Sequence, residues 1–361
     1  MRIRNDVCYK VNYTLSGKIL LVGIKGLNSF VKLNREYVTP AIEFIDRYKN
    51  EEIEENALEP IDRKLYKNFN RAGFLENEIE PKASFNEFKQ MGKVLLTIHP
   101  SDRKILPAVS DQVKVFAFIV SVICMLGYMY RNIRLAPSVI DYQHMKLWEI
   151  VFTIGVYPWA VLALHEMGHC FQAKMFGVKI QSISIGWFYI YPLVLVQYWG
   201  LNLEKQTNKI LIMLGGIYAN LVLAFLGFVL KSVRPDIFQG AVTDIWIMAN
   251  ISTIITNLGL MGMTDGYFIV SSLIGIMNLR LKGYRCIGSV LNRKRVTRPE
   301  EKICGIVLFG MFLSGLYSLY LNITYWLNLF MVPVLILRIV FMGLAVFLFF
   351  RFMMRIRNVQ V

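Results

Sequence analysis

Charge is scarce in this chain. Of its 361 residues only 18% are charged and 55% are hydrophobic, and the mean hydropathy is +0.45. Soluble domains carry about 25% charged and about 45–50% apolar residues, so a simple soluble protein is excluded. Disorder is excluded as well, because 24 Phe, 18 Tyr and 6 Trp leave far too much apolar surface to solvate. Cysteine is sparse and scattered: Cys8, Cys124, Cys170, Cys286 and Cys304 are odd in number and contain no CxxC pair. Neither a disulfide framework nor a thiolate zinc site follows from them. Residues 1–20 hold no apolar stretch long enough for a secretory signal. Acid is short relative to base, 25 Asp and Glu against 40 Lys and Arg, for a net charge of +15. Such an excess fits nucleic acid, an anionic membrane surface or positive cytoplasmic loops, and its placement decides.

What is present divides at about residue 110. Residues 1–110 read as a small soluble α+β domain. Lys18–Lys25 and Ser29–Leu33 are β-rich runs separated by the turn signal Gly26-Leu27-Asn28. Arg35–Tyr48 sets Val38, Ala41, Ile42, Ile45 and Tyr48 at helical spacing, and Ile61–Phe74 gives a second helix with Gly73 as its stop. The acidic run Glu51 to Glu59 between them reads as a solvated helix face or turn. Residues 1–114 hold 19 Lys and Arg against 16 Asp and Glu, so this part carries no nucleic-acid footprint.

Residues 111–361 read as a polytopic membrane domain. Apolar runs recur at 115–130, 147–168, 210–230, 245–271, 303–322 and 329–350. A crossing needs about 20 apolar residues, which makes the first the shortest of the six. The excess charge lies between and after these runs. Arg280, Lys282, Arg285, Arg293, Lys294, Arg295, Arg298 and Lys302 face only Glu300 and Glu301 within 272–302, and Arg351, Arg355 and Arg357 follow the last run. In a six-span arrangement these segments and the head share one side, which the positive-inside rule makes cytoplasmic. Arg131, Arg134 and Lys146 against Asp141 in the 131–146 connection are the counter-evidence. The basic loop also suits anionic membrane lipid.

Residues His165-Glu166-Met167-Gly168-His169 form HExxH. On a helix His165 and His169 lie one turn apart on one face and can share a zinc ion, while Glu166 can take a proton from the attacking water. The chain has only four histidines, and two are in this pair at the end of an apolar helix, where charge is costly and tends to be functional. The bland alternative is a helix end whose imidazoles touch lipid headgroups. A zinc hydrolase wants a third protein ligand. Asp265, followed by Gly266, is the acid within an otherwise apolar run. His165 lies 18 residues into its span and Asp265 20 into its own. At ~1.5 Å per residue the depths are roughly 27 and 30 Å, so the two can meet toward the cytoplasmic face. Asp265 as a helix-end cap is the alternative.

These motifs resemble the site-2 protease family of intramembrane zinc metalloproteases, over about residues 145–275. That family carries HExGH on one membrane helix, matched by His165-Glu166-Met167-Gly168-His169. On a later helix it carries Asn with Asp-Gly eight residues on, matched by Asn257 and Asp265-Gly266, and between the HExGH helix and that later helix a Gly-rich stretch with Asn, matched by Leu214–Asn220. The resemblance implies a zinc metalloendopeptidase with His165, His169 and Asp265 as ligands, Glu166 as general base, and Asn220 and Asn257 near the substrate. Asn220 as interhelical glue is an equal alternative, and Asn257 has a similar one. The family's prolines between Asn and Asp-Gly are missing here; Gly259 and Gly262 are expected to permit the same irregular backbone. Thr264 stands where the family usually has Leu.

Gly177–Gly200 reads as a membrane-embedded β-ribbon. Val178, Ile180, Ile183, Ile185 and Trp187 alternate imperfectly with polar residues. An exposed edge there can hold an extended substrate, whose carbonyls a helix would hide; a plain re-entrant connection is the other reading. Arg338, in the last run, has no evident partner, Cys170 points about 100° away from His169, and Glu149 is expected to reach water.

The head resembles PqqD-like peptide-recognition domains, a winged-helix-like fold, over roughly residues 8–80. Leu33-Asn34 ends a strand before a helix, and Ile45-Asp46 matches the apolar residue and Asp with which that family tends to end the helix. This resemblance implies capture of a leader-bearing precursor peptide by strand addition, against an ordinary accessory domain. The expected molecule is thus a mainly α membrane protein, a six-span helical bundle with a β-ribbon behind a cytoplasmic α+β head. It would cleave a peptide or membrane-protein segment, with maturation of a ribosomally made peptide as the favoured role. Regulated intramembrane proteolysis of a signalling protein, a zinc-binding transporter or peptide-export partner without hydrolysis, and a membrane-tethered transcription regulator are the other classes. Glu166 argues against the transporter, and the near-neutral head against the regulator.

Overall fold

The structure is a computed structural model and describes residues 1–14, 17–24, 29–76, 93–100, 105, 109–137, 145–188, 191–259, 264–276, 279–293, 299–329 and 334–359. It resolves into two compact units. One is Met1–Leu106 with Ala173–Lys209 and Ile274–Ile276; the other is Pro107–Gln172 with Ile210–Leu273 and Met277–Val361.

In the first unit, β1 (Val7–Thr14), β2 (Gly17–Ile24) and β3 (Ser29–Leu33) form an antiparallel sheet in that order. Alternation carries Leu20, Val22 and Ile24 into the core, with Val7 opposite Ile24 and Val11 opposite Leu20. The expected turn at 26–28 lies outside the described residues. Strand β1 is an addition to the sequence reading, although Val7, Tyr9, Val11 and Tyr13 alternate with Cys8, Lys10 and Asn12. Helices α1 (Val38–Tyr48) and α2 (Pro60–Arg71) complete the core with Val38, Ala41, Phe44 and Ile45, and with Leu65, Tyr66 and Phe69.

Helix α2 starts on Pro60, whose fixed φ suits a first turn. It ends where Gly73 turns left-handed at φ 72°. Gly73 N–H then donates to Asn70 O and Phe74 N–H to Phe69 O at 2.9 Å, a Schellman turn. The turn folds Phe74 back onto Phe69, ring centroids 5.7 Å apart, and both side chains are fully buried. Residues 3–75 thereby build a core of their own.

A second sheet has the order β4 (Lys93–Ile98), β5 (Lys179–Phe188), β6 (Tyr191–Trp199), all antiparallel. The expected ribbon is β5–β6. Strand β4 comes from the segment after the head and lies along β5, with Ile98 opposite Ile183 and Thr97 opposite Ser184. Neither edge of β5 is therefore free, and among the described residues the open edges are those of β4 and β6. This pairing also puts the ribbon in the first unit, whereas the sequence reading keeps it with the membrane body.

In the second unit, α3 (Asp111–Arg131) is capped by Ser110, which accepts from Val113 N–H. Asp111 in its first turn and Arg131 in its last complement the helix dipole. Phe116, Ile119, Ile123 and Leu126 stand exposed along one side of it. An apolar ridge of that length suits lipid and not water. Next come α4 (Leu147–Gly155), α5 (Tyr157–Phe176), α6 (Gln206–Val233) and the short α7 (Pro235–Phe238). They are followed by α8 (Ala241–Leu258), α9 (Asp265–Ile274), α10 (Leu279–Leu291), α11 (Pro299–Leu329) and α12 (Val334–Val359).

Five helices among the described residues are long and apolar enough to cross a membrane: Asp111–Arg131, Leu147–Phe176, Gln206–Val233, Ala241–Leu258 and Pro299–Thr324. The chain is a multi-pass membrane protein. The sixth expected run lies in α12, whose described apolar stretch, Met342–Met354, is shorter. The expected span 245–271 is two helices, α8 and α9. The expected basic loop 272–302 contains a helix, α10, which buries Leu279, Gly283, Tyr284, Cys286 and Gly288 while Arg280, Lys282 and Arg285 occupy the intervening positions. Glu149 accepts from Lys146 N–H at 2.7 Å and so caps α4. At the far end of α6, buried Lys231 pairs with Asp244 of α8 at 2.5 Å and donates to the Leu135 carbonyl at 2.9 Å.

Candidate active site

Helix α5 places Glu166 beside His165 and His169 one turn further on. One ligand atom from each lies within 4.8 Å of the others. Both imidazoles are buried, and Glu166 keeps partial exposure. The chain leaves this helix through Gly177, again left-handed at φ 72°. Val178 N–H donates to Ala173 O at 2.9 Å and Gly177 N–H to Lys174 O, a second Schellman turn that directs the chain into β5.

Helix α6 crosses α5 with no side chain between the two backbones. A Cβ at Gly168 would stand 2.3 Å from Gly215 O and 2.6 Å from Ala219 Cβ. One at Gly215 would stand 2.6 Å from Gly168 O. Small residues at such crossings let membrane helices approach closely. The next residue, Gly216, lies beneath the two imidazoles: a Cβ there would stand 2.4 Å from His165 Nε2 and 2.5 Å from His169 Nε2.

The far nitrogens of the rings are held from behind. His169 Nδ1 lies 2.7 Å from Ile212 O. A carbonyl only accepts, so Nδ1 carries the proton, and the Gly216 N–H at 3.3 Å is a neighbour and not a donor to it. His165 Nδ1 meets Asn220 Oδ1, an oxygen that also only accepts. In a neutral imidazole a proton on Nδ1 leaves a lone pair on Nε2. Both Nε2 atoms face Asp265, at the start of α9. Asp265 Oδ2 is 3.1 Å from His165 Nε2, and Oδ1 is 3.2 Å from His169 Nε2. Oδ2 is buried and meets no donor in hydrogen-bonding geometry.

Two nitrogen lone pairs and a carboxylate thus converge without a proton between them. Such an arrangement repels unless a cation, or protons on both rings, sits among them. Two imidazoles and one carboxylate, each ring donating its other nitrogen to an oxygen, are a donor set that fits zinc with one position left open.

Residues 152–281 match the family model of peptidase family M50. This segment belongs to the site-2 protease family. A Bacillus subtilis (strain 168) protein named "Putative peptide zinc metalloprotease protein YydH" is 25% identical to this chain over 161 residues, 41% of this chain and 63% of that protein. The chain therefore spans less than two thirds of the length of that relative. No solved structure matches.

Within the site-2 protease segment the structure brings His165, Glu166, His169 and Asp265 together. The expected substrate residues both have partners within the protein. Asn220 is fully buried, and its amide spans His165 and Asn250. Asn257 bonds the Thr253 carbonyl of its own helix at 3.1 Å. Gly259, expected to permit irregular backbone, has an ordinary φ of −63°; its missing side chain makes room for Ser318, whose Oγ a Cβ would approach to 2.7 Å. Gly262 lies outside the described residues. Thr264 donates to Gly259 O at 2.9 Å, closing the break ahead of Asp265. Sequence reasoning assigned no role to Gly216, Ile212 or Asn250. For Asn250 the signal was available, a buried-helix Asn in an apolar run, which membrane helices tolerate only with partners.

Proposed function

We propose that the chain is a membrane zinc endopeptidase acting near the cytoplasmic face, in the maturation of a ribosomally made peptide. One observation carries the reading: His165 and His169 present lone pairs to both oxygens of Asp265, with Glu166 beside them. His165, His169 and Asp265 would hold zinc. A zinc ion there supplies a Lewis acid that polarises a carbonyl and makes water a better nucleophile near neutral pH. Glu166 is not needed as a ligand, and its carboxylate takes the proton from water as the oxygen attacks the scissile carbonyl carbon. As the C–N bond breaks, Glu166 returns that proton to the leaving nitrogen. The partly exposed position of Glu166 lets water reach it.

The peptide role rests on the head, a separate core whose sheet has β3 as an edge strand among the described residues, and on its likeness to peptide-recognition domains. The relative's name, a peptide zinc metalloprotease, agrees with it.

The test measures zinc content and peptide cleavage in parallel, in detergent or liposomes. The parent should hold about one zinc per chain, and His165→Ala or His169→Ala should lose it. Glu166→Gln should keep zinc and cleave about 10²-fold or more slowly, because the amide cannot take the proton. Full zinc retention in both histidine variants, or parental cleavage by Glu166→Gln, overturns the reading. Removal of residues 1–76 should slow cleavage of a leader-bearing precursor and spare that of the leaderless peptide. Equal cleavage of the precursor ends the recognition role alone.

A further inference from the structure

We propose that Asn250 is a positioning residue of this centre: acting through Asn220, it fixes which ring nitrogen of His165 carries the proton. The inference deepens the zinc reading and rests on it. Asn250 lies on α8 and is fully buried, as is Asn220 on α6. Asn250 Nδ2 donates to the Trp246 carbonyl at 2.9 Å. A backbone carbonyl cannot donate, so the amide of Asn250 has one orientation. Its Oδ1 is then turned to Asn220 and accepts from Asn220 Nδ2 at 2.8 Å. That leaves Asn220 Oδ1, and not its NH₂, facing His165 Nδ1.

Asn220 cannot make this choice alone. The two ends of its amide have nearly the same size, and rotation by 180° would offer an NH₂ to His165. Nδ1 would then accept, the proton would move to Nε2, and the lone pair facing Asp265 would be gone. Asn250 forbids the rotation, because its Oδ1 would then face another oxygen in a buried site, at an unsatisfied-acceptor penalty. Trp246, whose carbonyl anchors the relay, is itself tied to α6 by its indole N–H on Leu223 O at 3.1 Å. His169 needs no such device, since the Ile212 carbonyl fixes its Nδ1 directly. The two ligands are thus oriented by different means, one by backbone and one by a two-residue side-chain relay.

The experiment is a double-mutant cycle on zinc affinity, read by chelator competition on the full chain in detergent. The variants are Asn220→Leu, Asn250→Leu and the pair. Asn250→Leu should weaken zinc by about 10–100-fold, the range for a contact behind a ligand. The pair should be no weaker than Asn220→Leu alone, because Asn250 acts only through Asn220. A second readout needs no metal. With ¹⁵N-labelled histidine, His165 in the zinc-free parent should be the Nδ1–H tautomer, and Asn250→Leu should shift it toward Nε2–H. Helical content and thermal unfolding report folding, and Asn250→Ala replaces the Leu variant if that one does not fold. A folded Asn250 variant with parental zinc affinity and an unchanged tautomer overturns the proposal, as do losses that add independently. If the parent binds no zinc, the zinc reading fails on its own, and the tautomer measurement still decides the role of Asn250.

Discussion

At position 216 a methyl group would stand within 2.5 Å of both ligand nitrogens. Nitrogen–carbon contact distances are about 3.5 Å or more, so either a ring is pushed aside or the helix retreats. Zinc sits about 2.0–2.1 Å from a histidine nitrogen, the region this methyl would fill. Gly216→Ala should therefore reduce zinc affinity by about 100-fold or more, above the ~10–100-fold range of an outer contact. Chelator competition measures this, and a variant that holds zinc as the parent does would show that the imidazoles rearrange freely. The sequence declares His165, Glu166 and His169, because their spacing matches a helical turn and their chemistry is rare in an apolar run. It does not declare Gly216. A glycine in a membrane helix has many possible reasons, and only the crossing of α5 and α6 shows which applies. Asp265 is intermediate: the acid is conspicuous, but its aim depends on where α9 begins.

Helices α5 and α6 meet through the pair Gly168 and Gly215, which explains the glycine inside the His165–His169 turn. Its neighbours there are the Gly215 backbone and the Ala219 Cβ, and neither can rotate out of the way. Gly168→Ala should force the helices apart, and overpacking of this kind costs about 1–3 kcal/mol. The expected result is a lower unfolding temperature in detergent together with weaker zinc binding, since Gly216 and Asn220 ride on the same helix. An unfolding temperature equal to that of the parent would mean that the crossing is loose. Helical elements were largely legible, because 18 or more apolar residues in a row have few other fates. The division of 245–271 into α8 and α9 was not, since no proline marks it; it depends on Gly259 meeting Ser318 and on Thr264 bonding back to Gly259 O. Strand β4 was not legible either. Lys93–Ile98 is six residues long and pairs with a strand more than 80 residues later, so no local pattern announces its partner. Helix α10 hid behind its charge: Arg280, Lys282 and Arg285 read as a basic loop, while Leu279 is buried and Gly283 and Cys286 pack on α11, where a Cβ at Gly283 would meet Cys304 O at 2.7 Å.

At the scale of the whole molecule the question is which way the helices run. The proposal from charge is that the head, the α10 segment and the end of α12 are cytoplasmic. The structure turns part of the basic segment into helix and leaves its charges in place: Lys282 pairs with Glu300, while Arg285 is exposed. The 131–146 connection opposes this orientation with three bases against one acid. It is outweighed by eight bases against two acids in residues 280–302, because each positive charge adds to the bias. Gln239 follows α7, between α6 and α8, and is exposed; Val290 lies near the end of α10 and is 61% exposed. Between these two positions α8 is the helix, among the described residues, that is long and apolar enough to cross a membrane, so the two should stand on opposite sides. Gln239→Cys and Val290→Cys are made separately in a chain whose Cys8, Cys124 and Cys170 are replaced by Ala; Cys286 and Cys304 are buried and should stay silent. A membrane-impermeant thiol reagent added to intact cells should label position 239 and not position 290, and permeabilised cells should label both. Labelling of both from outside would place the basic segment across the membrane from where its charge predicts. The zinc-site geometry, which lies within α5, α6 and α9, would survive that result, and the cytoplasmic assignment of cleavage would not.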